Sequence, residues 1–298
     1  MYIKYFSVII LVILLSLIIR SYILDVKEMK DHVIFNFPTD NTINLTFYQK
    51  ENHIPKVIRR NYGFKDNKAN LKNYEFVFNK TKEICPDIEE ELLLGRDEMK
   101  NFVLKYYNQE VLDIINLLNY NYAACISDIV RLLVIYAKGG IYLDIKSHIR
   151  GDITPELEKY GDKLICSYFS SAPFIHRSWT EFPPYGEISN WFFAAPKGHP
   201  VVRELIIQSL TNVKKAYLKK EELKSGAPYI LSLAGPFMMT HVIKKSKNLN
   251  QVKFLTSFGK KGVFFGGWNG KLRKETAGVL HRQKGDHWTE LQEPLFKI

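Results

Sequence analysis

Apolar residues run along this chain in blocks whose spacing changes from one end to the other. Residues 5–19 read YFSVIILVILLSLII, apolar apart from two serines, and Ile23 and Leu24 continue the block past Arg20. A bilayer-spanning helix needs about 20 mostly apolar residues, so the block is slightly short. Arg20 sits near one end, where its guanidinium can snorkel to the headgroups. No small-residue cleavage pattern follows, so the pattern predicts an uncleaved single-pass anchor over residues 1–24. Residues 25–53 are polar, carry a turn cluster at 38–41 and keep no sustained period, which reads as a stem. From Ile54 the pattern becomes that of a globular α/β domain, residues 54–298. Residues 54–58 predict an entering strand with Pro55 at its start, where a missing N–H is tolerated. Residues 74–78 alternate and are rich in aromatics, which predicts a second strand. Residues 88–94 and 98–118 repeat their apolar positions at three and four, a helical period.

The stretch 122–149, YAACISDIVRLLVIYAKGGIYLDIKSHI, is the most informative. Residues 123–138 predict a strongly apolar, buried helix that Gly139 and Gly140 terminate, with Lys138 in the last turn suiting the helix dipole. Residues 141–143 predict a short buried strand, and Asp144 stands at its carboxyl end, where open α/β sheets bind their ligands. Asp128 and Arg131 are three apart and share a helix face. Charges in so apolar a helix are costly unless paired or turned towards a polar pocket. Further strands are expected at 163–169, 188–195, 252–255 and 263–265. Further helices are expected from Pro200 and from Pro236 to about Lys245. There is no internal repeat, and strands alternating with helices predict a layered α/β fold.

Composition narrows the class. The 298 residues fit one large domain, or two modest ones, with a short appendage. A content of 46% hydrophobic and 24% charged residues excludes a disordered tail, a collagen-like repeat and a polytopic membrane protein. Cys85, Cys125 and Cys166 are too few for a disulfide scaffold and read as buried small hydrophobes; an oxidising compartment would pair two and leave one free. The net charge of +11 suits anionic partners, whether nucleic acid, a membrane surface or a phosphorylated small molecule, or else a solvated basic surface. The lysines are scattered rather than gathered on one face among aromatics, so nucleic acid is not the expected partner. Lys4 before the anchor and Arg20, Lys27 and Lys30 after it, diluted by Asp25, Glu28 and Asp31, leave its orientation open. The sequons at Asn44-Leu45-Thr46 and Asn79-Lys80-Thr81 lean towards a type II arrangement, with the bulk of the chain in a Golgi- or ER-like lumen.

Several blocks occur in a fixed order: Ile54-Pro55-Lys56-Val57-Ile58; Ser127-Asp128-x-x-Arg131; Tyr136-x-x-Gly139-Gly140-Ile141-Tyr142-Leu143-Asp144; Asn190 through Ala195-Pro196-Lys197-Gly198-His199-Pro200; Gly235-Pro236; and His281 with Trp288. Together they resemble glycosyltransferase family 32, the enzymes with the DXD sugar-binding region, among them initiating α-1,6-mannosyltransferases and inositolphosphoceramide mannosyltransferases. The resemblance implies a GT-A fold, a mixed central sheet flanked by helices. It implies retaining transfer of a sugar from a nucleotide diphosphate sugar to a glycan or glycolipid acceptor. GDP-mannose stands somewhat ahead of UDP-sugars as donor. The alternative is a GT-A-fold protein that binds saccharide or nucleotide without turnover.

In the family the first carboxylate of DXD holds the ribose or donor sugar and the second binds a divalent metal, Mn²⁺ or Mg²⁺, on the diphosphate. Here the first is Asp144 and the second position is Lys146, whose ammonium has no lone pair to give a metal. Three readings follow. Lys146 neutralises the departing diphosphate as a point charge, making the site metal-independent. A metal binds through Asp144 with Asp152 or His148, keeping several waters. Or the site is inactive. Asp128 is the candidate nucleotide or ribose contact, with Arg131 orienting it or reaching phosphate. Tyr142 is a donor-site candidate that reads equally as a strand aromatic. Asn190 is a candidate for donor or acceptor hydroxyls. By resemblance, His281 and Trp288 would close over the diphosphate and exclude water.

Overall fold

The computed structural model describes residues 39–65, 71–168, 188–223, 227–255, 263–265 and 291–297. The anchor expected over 1–24 lies outside them. Among the described residues no helix is long and apolar enough to cross a membrane. In chain order the elements are β1 (Val57–Tyr62), α1 (Glu75–Ile84), β2 (Glu89–Leu94), α2 (Gly95–Tyr106), α3 (Gln109–Asn116), α4 (Ala123–Lys138), β3 (Gly140–Leu143), β4 (Ser147–Ile149) and α5 (Thr154–Lys159). They continue with β5 (Leu164–Tyr168), β6 (Ile188–Ala195), α6 (Pro200–Tyr217), α7 (Ala227–Leu233), α8 (Pro236–Lys245), β7 (Val252–Leu255) and β8 (Val263–Phe265).

Six strands form a mixed sheet in the order β2-β1-β3-β6-β5-β7. β1 runs parallel to β2 and β3, β6 runs antiparallel to β3 and β5, and β7 returns parallel to β5. β4 and β8 pair apart from it as an antiparallel ribbon. Side chains alternate across the sheet with the period of two that strands impose. Tyr142, Cys166 and Phe193 enter the larger core with α4, α6 and α8, whereas Ile141, Leu143, Ile165 and Phe192 enter a smaller core on the other face. The mixed α/β architecture is the one expected.

The turn from α4 into β3 shows why two glycines stand there. Gly139 has φ +65° and Gly140 φ +105°, both in the left-handed region. A Cβ at Gly140 would lie 2.7 Å from the Val57 carbonyl oxygen, so β3 reaches its place beside β1 only without a side chain.

Three expectations fail, each for a physical reason. Residues 74–78 are not a strand: α1 occupies Glu75–Ile84 and buries Val77 and Thr81, one helical turn apart. Residues 88–94 are not a helix. EEELLL becomes the edge strand β2, where pairing with β1 overrides the helix preference of glutamate. Glu90 there pairs with Arg60, and Glu91 with Arg59 and Lys138. The helix expected over 98–118 is two helices. Asn108 divides them and caps α3 by accepting from Val111 N at 3.0 Å. The entering strand is β1, three residues later than expected, and it carries Arg59, Arg60 and Asn61. Part of the segment read as stem belongs to the domain. Ile43 and Leu45 are buried in the larger core, and Glu51 N donates to Lys197 O at 2.9 Å. Two apolar residues in an irregular stretch are too few to give a period.

Candidate active site

The site forms where β3 ends. Asp144 N donates to Trp191 O at 3.0 Å, and Ser147 N donates to Asp144 O at 2.8 Å, so residues 144–147 make a tight turn. Asp144 and Lys146, two residues apart, share that turn, and both are partly exposed. The Asp144 side chain is 25% exposed while those of Asp128 and Arg131 are 9% and 6%, so Asp144 is the carboxylate that a ligand can reach.

Arg131, on α4, organises the group. Its Nη2 lies 2.8 Å from Asp128 Oδ1 and 3.3 Å from Asp144 Oδ1. Its Nη1 donates to Asn190 O at 2.6 Å and its Nε to Ser127 O at 3.2 Å. The guanidinium also lies over the Tyr142 ring, 4.6 Å from its centre. Burial works against this cation, but Tyr142, Asp144 and Asp128 raise its pKa, so Arg131 is permanently charged. Burial pushes the Asp128 carboxyl up to about 7, with Asp144 adding to the push and Arg131 and Asn190 opposing it. Asn190 Nδ2 donates to Asp128 Oδ1 at 2.9 Å.

Tyr142 holds Asp144 from within the sheet, its hydroxyl donating to Oδ1 at 2.7 Å. The ring stacks on Phe193 at 5.5 Å, and burial carries the phenol well above its ordinary range, so the hydroxyl remains a donor. Asn61, at the end of β1, accepts a short hydrogen bond from Ser127 Oγ and lies 3.2 Å from the Tyr142 hydroxyl. α8 begins against the same group: a Cβ at Gly235 would lie 3.2 Å from Asp128 Oδ2. The fold therefore brings Asp128, Arg131, Tyr142, Asp144 and Asn190 together from α4, β3 and β6.

The expected alternative metal ligands serve elsewhere. Asp152 Oδ1 accepts from Thr154 N at 2.9 Å at the start of α5. His148 is buried, with Nδ1 2.9 Å from Ile149 O, and burial lowers its pKa. Among the described residues, no three His, Cys, Asp or Glu side chains gather into a group that could hold a metal ion. Asp144 Oδ1 already faces a hydroxyl donor and a guanidinium, and the second motif position is an ammonium. Among the described residues, this donor set does not fit a divalent ion. His281 and Trp288 lie outside the described residues.

Three residues at the site carry roles that sequence reasoning missed: Arg60 and Asn61 on β1, and Ser127 on α4. The signal was present, since two arginines and an asparagine in a strand beside two others need partners. The strand was placed too early to expose it.

A model of the "Glycosyltransferase sugar-binding region containing DXD motif" matches residues 27–165. The chain is 30% identical over 122 residues to an "Initiation-specific alpha-1,6-mannosyltransferase" of Schizosaccharomyces pombe (strain 972 / ATCC 24843). That alignment covers 39% of this chain and only 30% of the relative. Among solved structures, the "PaToxG Glycosyltransferase" is 18% identical with a TM-score of 0.41, over 78% of this chain and 81% of that one. The "UDP-bound glycosyltransferase domain from the YGT toxin" is 9% identical with a TM-score of 0.40, over 69% and 80%. The matched segment, residues 27–165, supplies Asp128, Arg131, Tyr142 and Asp144, so the part of the chain that builds the site is similar to the DXD-containing glycosyltransferase sugar-binding region.

Proposed function

We propose that this chain is a retaining GT-A glycosyltransferase that moves a sugar, mannose before others, from a nucleotide diphosphate sugar to a glycan or glycolipid acceptor. The observation that carries the reading is the Arg131-centred network at the end of β3. It fixes Asp144 from behind through Tyr142 and Arg131 and leaves that carboxylate partly open to a ligand. Asp144 then accepts from ribose or donor-sugar hydroxyls. Asp128 and Asn190 define the inner wall, and Arg131 holds both carboxylates in register. In the transfer, the bond between the anomeric carbon and the diphosphate oxygen breaks, and its electron pair leaves on the diphosphate. The acceptor hydroxyl oxygen bonds to the same carbon from the face the diphosphate leaves, as its O–H bond breaks and the proton passes to the departing diphosphate oxygen. Stabilising the leaving charge is the largest requirement, and Lys146, in the same turn as Asp144, supplies the cation without a divalent ion. By the family resemblance, His281 and Trp288 are assigned to closing the site over the diphosphate.

The apolar block at 5–19 supports anchorage in a membrane, with the domain on the luminal side. Asn44 is exposed and open to glycosylation, whereas Thr81 of the second sequon is buried. Lys146 in place of a carboxylate favours the second reading, a fold that binds a nucleotide sugar without turnover.

The test is thermal unfolding of the full chain in detergent with GDP-mannose, UDP-glucose, UDP-galactose and UDP-N-acetylglucosamine, each with Mn²⁺ and with EDTA. A ligand at a hundred times its dissociation constant adds about 2.7 kcal/mol to the native state. Stabilisation by one donor that survives EDTA is the expected result. Stabilisation only with Mn²⁺ refutes the role of Lys146, and no stabilisation by any donor refutes the donor site.

A further inference from the structure

A second cation lies beneath the turn that carries Lys146. Arg60 stands on β1, the neighbour of β3 in the sheet, and its side chain is 0% exposed. Its Nη1 donates at 2.7 Å to both Asp144 O and Ser147 O, the first and last residues of the turn. The other nitrogen, Nη2, lies 3.0 Å from Glu90 Oε1 and 3.3 Å from Thr81 Oγ1, and Phe78 covers the guanidinium at 5.1 Å. Burial lowers the Arg60 pKa and Glu90 opposes that shift; a guanidinium nonetheless remains charged in proteins.

A strand interior needs no buried charge for its own stability, and an ion pair there is often no better than apolar packing. What a flat guanidinium can do, and an aliphatic side chain cannot, is fix two carbonyl groups at once. In a turn with two carboxylates, a metal ion can tie them from the ligand side. The sequence Asp144-Ile145-Lys146 lacks that second carboxylate, and the structure ties the same turn from below.

We propose that Arg60 is the positioning residue of the donor turn: by holding the carbonyls of Asp144 and Ser147 it sets the Lys146 ammonium at the diphosphate of the donor. The inference rests on the glycosyltransferase reading above and deepens it. Arg60 acts through Lys146 and touches no ligand itself.

The test is a double-mutant cycle on the full chain, read as dissociation constants for GDP and UDP by titration calorimetry in EDTA. Arg60→Gln is expected to weaken binding of the preferred diphosphate about tenfold in the wild-type background, within the range of coupled contact pairs. In the Lys146→Ala background the same change is expected to cost less than about threefold. Arg60→Lys, which keeps the charge and part of the donor set, is expected to lose less than Arg60→Gln. Should Arg60→Gln fail to fold, Thr81→Val releases one tether without stranding a charge and carries the same cycle with a smaller loss. Equal losses in both backgrounds show a merely structural arginine and overturn the proposal. A wild-type chain that binds neither diphosphate overturns the glycosyltransferase reading and this inference with it.

Discussion

Arg131→Met leaves a side chain of similar length in α4 but removes the only guanidinium within reach of both Asp128 and Asp144 among the described residues. It also takes the guanidinium donor from the Asn190 carbonyl, while Ser127 O keeps Asn61 Nδ2 at 3.3 Å. Removing one partner of a buried pair costs about 3–5 kcal/mol, because the other charge is left without compensation. Here the cost depends on pH, since the abandoned Asp128 can take up a proton. In the wild type its pKa is about 7, above the ordinary 3.8, and losing Arg131 raises it further. A carboxyl with a raised folded pKa favours the native state below the unfolded pKa, and that advantage is lost as pH rises through the folded pKa. Wild type and variant therefore lose stability together up to about pH 7. Above it only the variant goes on losing, at about 1.4 kcal/mol per pH unit. The deficit is thus about 2 kcal/mol larger at pH 8.5 than at pH 5.5. Urea midpoints of both proteins at the two pH values, with unchanged m-values, measure it. A deficit below about 1 kcal/mol, or one equal at the two pH values, refutes the reasoning.

Asp128→Asn keeps an oxygen for Arg131 and Asn190 but cannot ionise. It is expected to flatten the fall in wild-type stability between about pH 4 and pH 7, a slope of at most about 1.4 kcal/mol per pH unit, as urea midpoints will show. Gly140→Ala places a methyl 2.7 Å from the Val57 carbonyl oxygen at φ +105° and is expected to cost about 1–3 kcal/mol, read as a lowered thermal midpoint. Lys146→Ala is expected to lower turnover about 10²–10³-fold, the usual loss for one stabilising donor, and to reduce donor stabilisation in thermal unfolding without abolishing it.

Local signals made α4, the glycine pair, β3, β6 and α8 legible, because each has its own period and punctuation within a dozen residues. The same stretch gave Asp128, Arg131 and Asp144, since charges in an apolar helix and at a strand end must meet something polar. What stayed hidden depends on partners distant in sequence. EEELLL becomes β2 only because β1 offers Arg59 and Arg60 to its glutamates. Aromatic alternation at 74–78 concealed a helix whose buried face is Val77 and Thr81. Arg60 reads as an ordinary basic residue until β1 is laid beside β3, 84 positions from the carbonyl of Asp144 that it holds.

The central claim is that a nucleotide sugar binds at the carboxyl end of β3 with Asp144 as its open carboxylate. The most direct measurement is a calorimetric titration of the full chain in EDTA with the nucleotide sugar that stabilises it most, GDP-mannose being expected, beside Asp144→Asn. The account predicts saturable binding that Asp144→Asn weakens at least about tenfold, roughly 1.4 kcal/mol. Binding of equal strength in the two proteins, or none to the wild type, contradicts it.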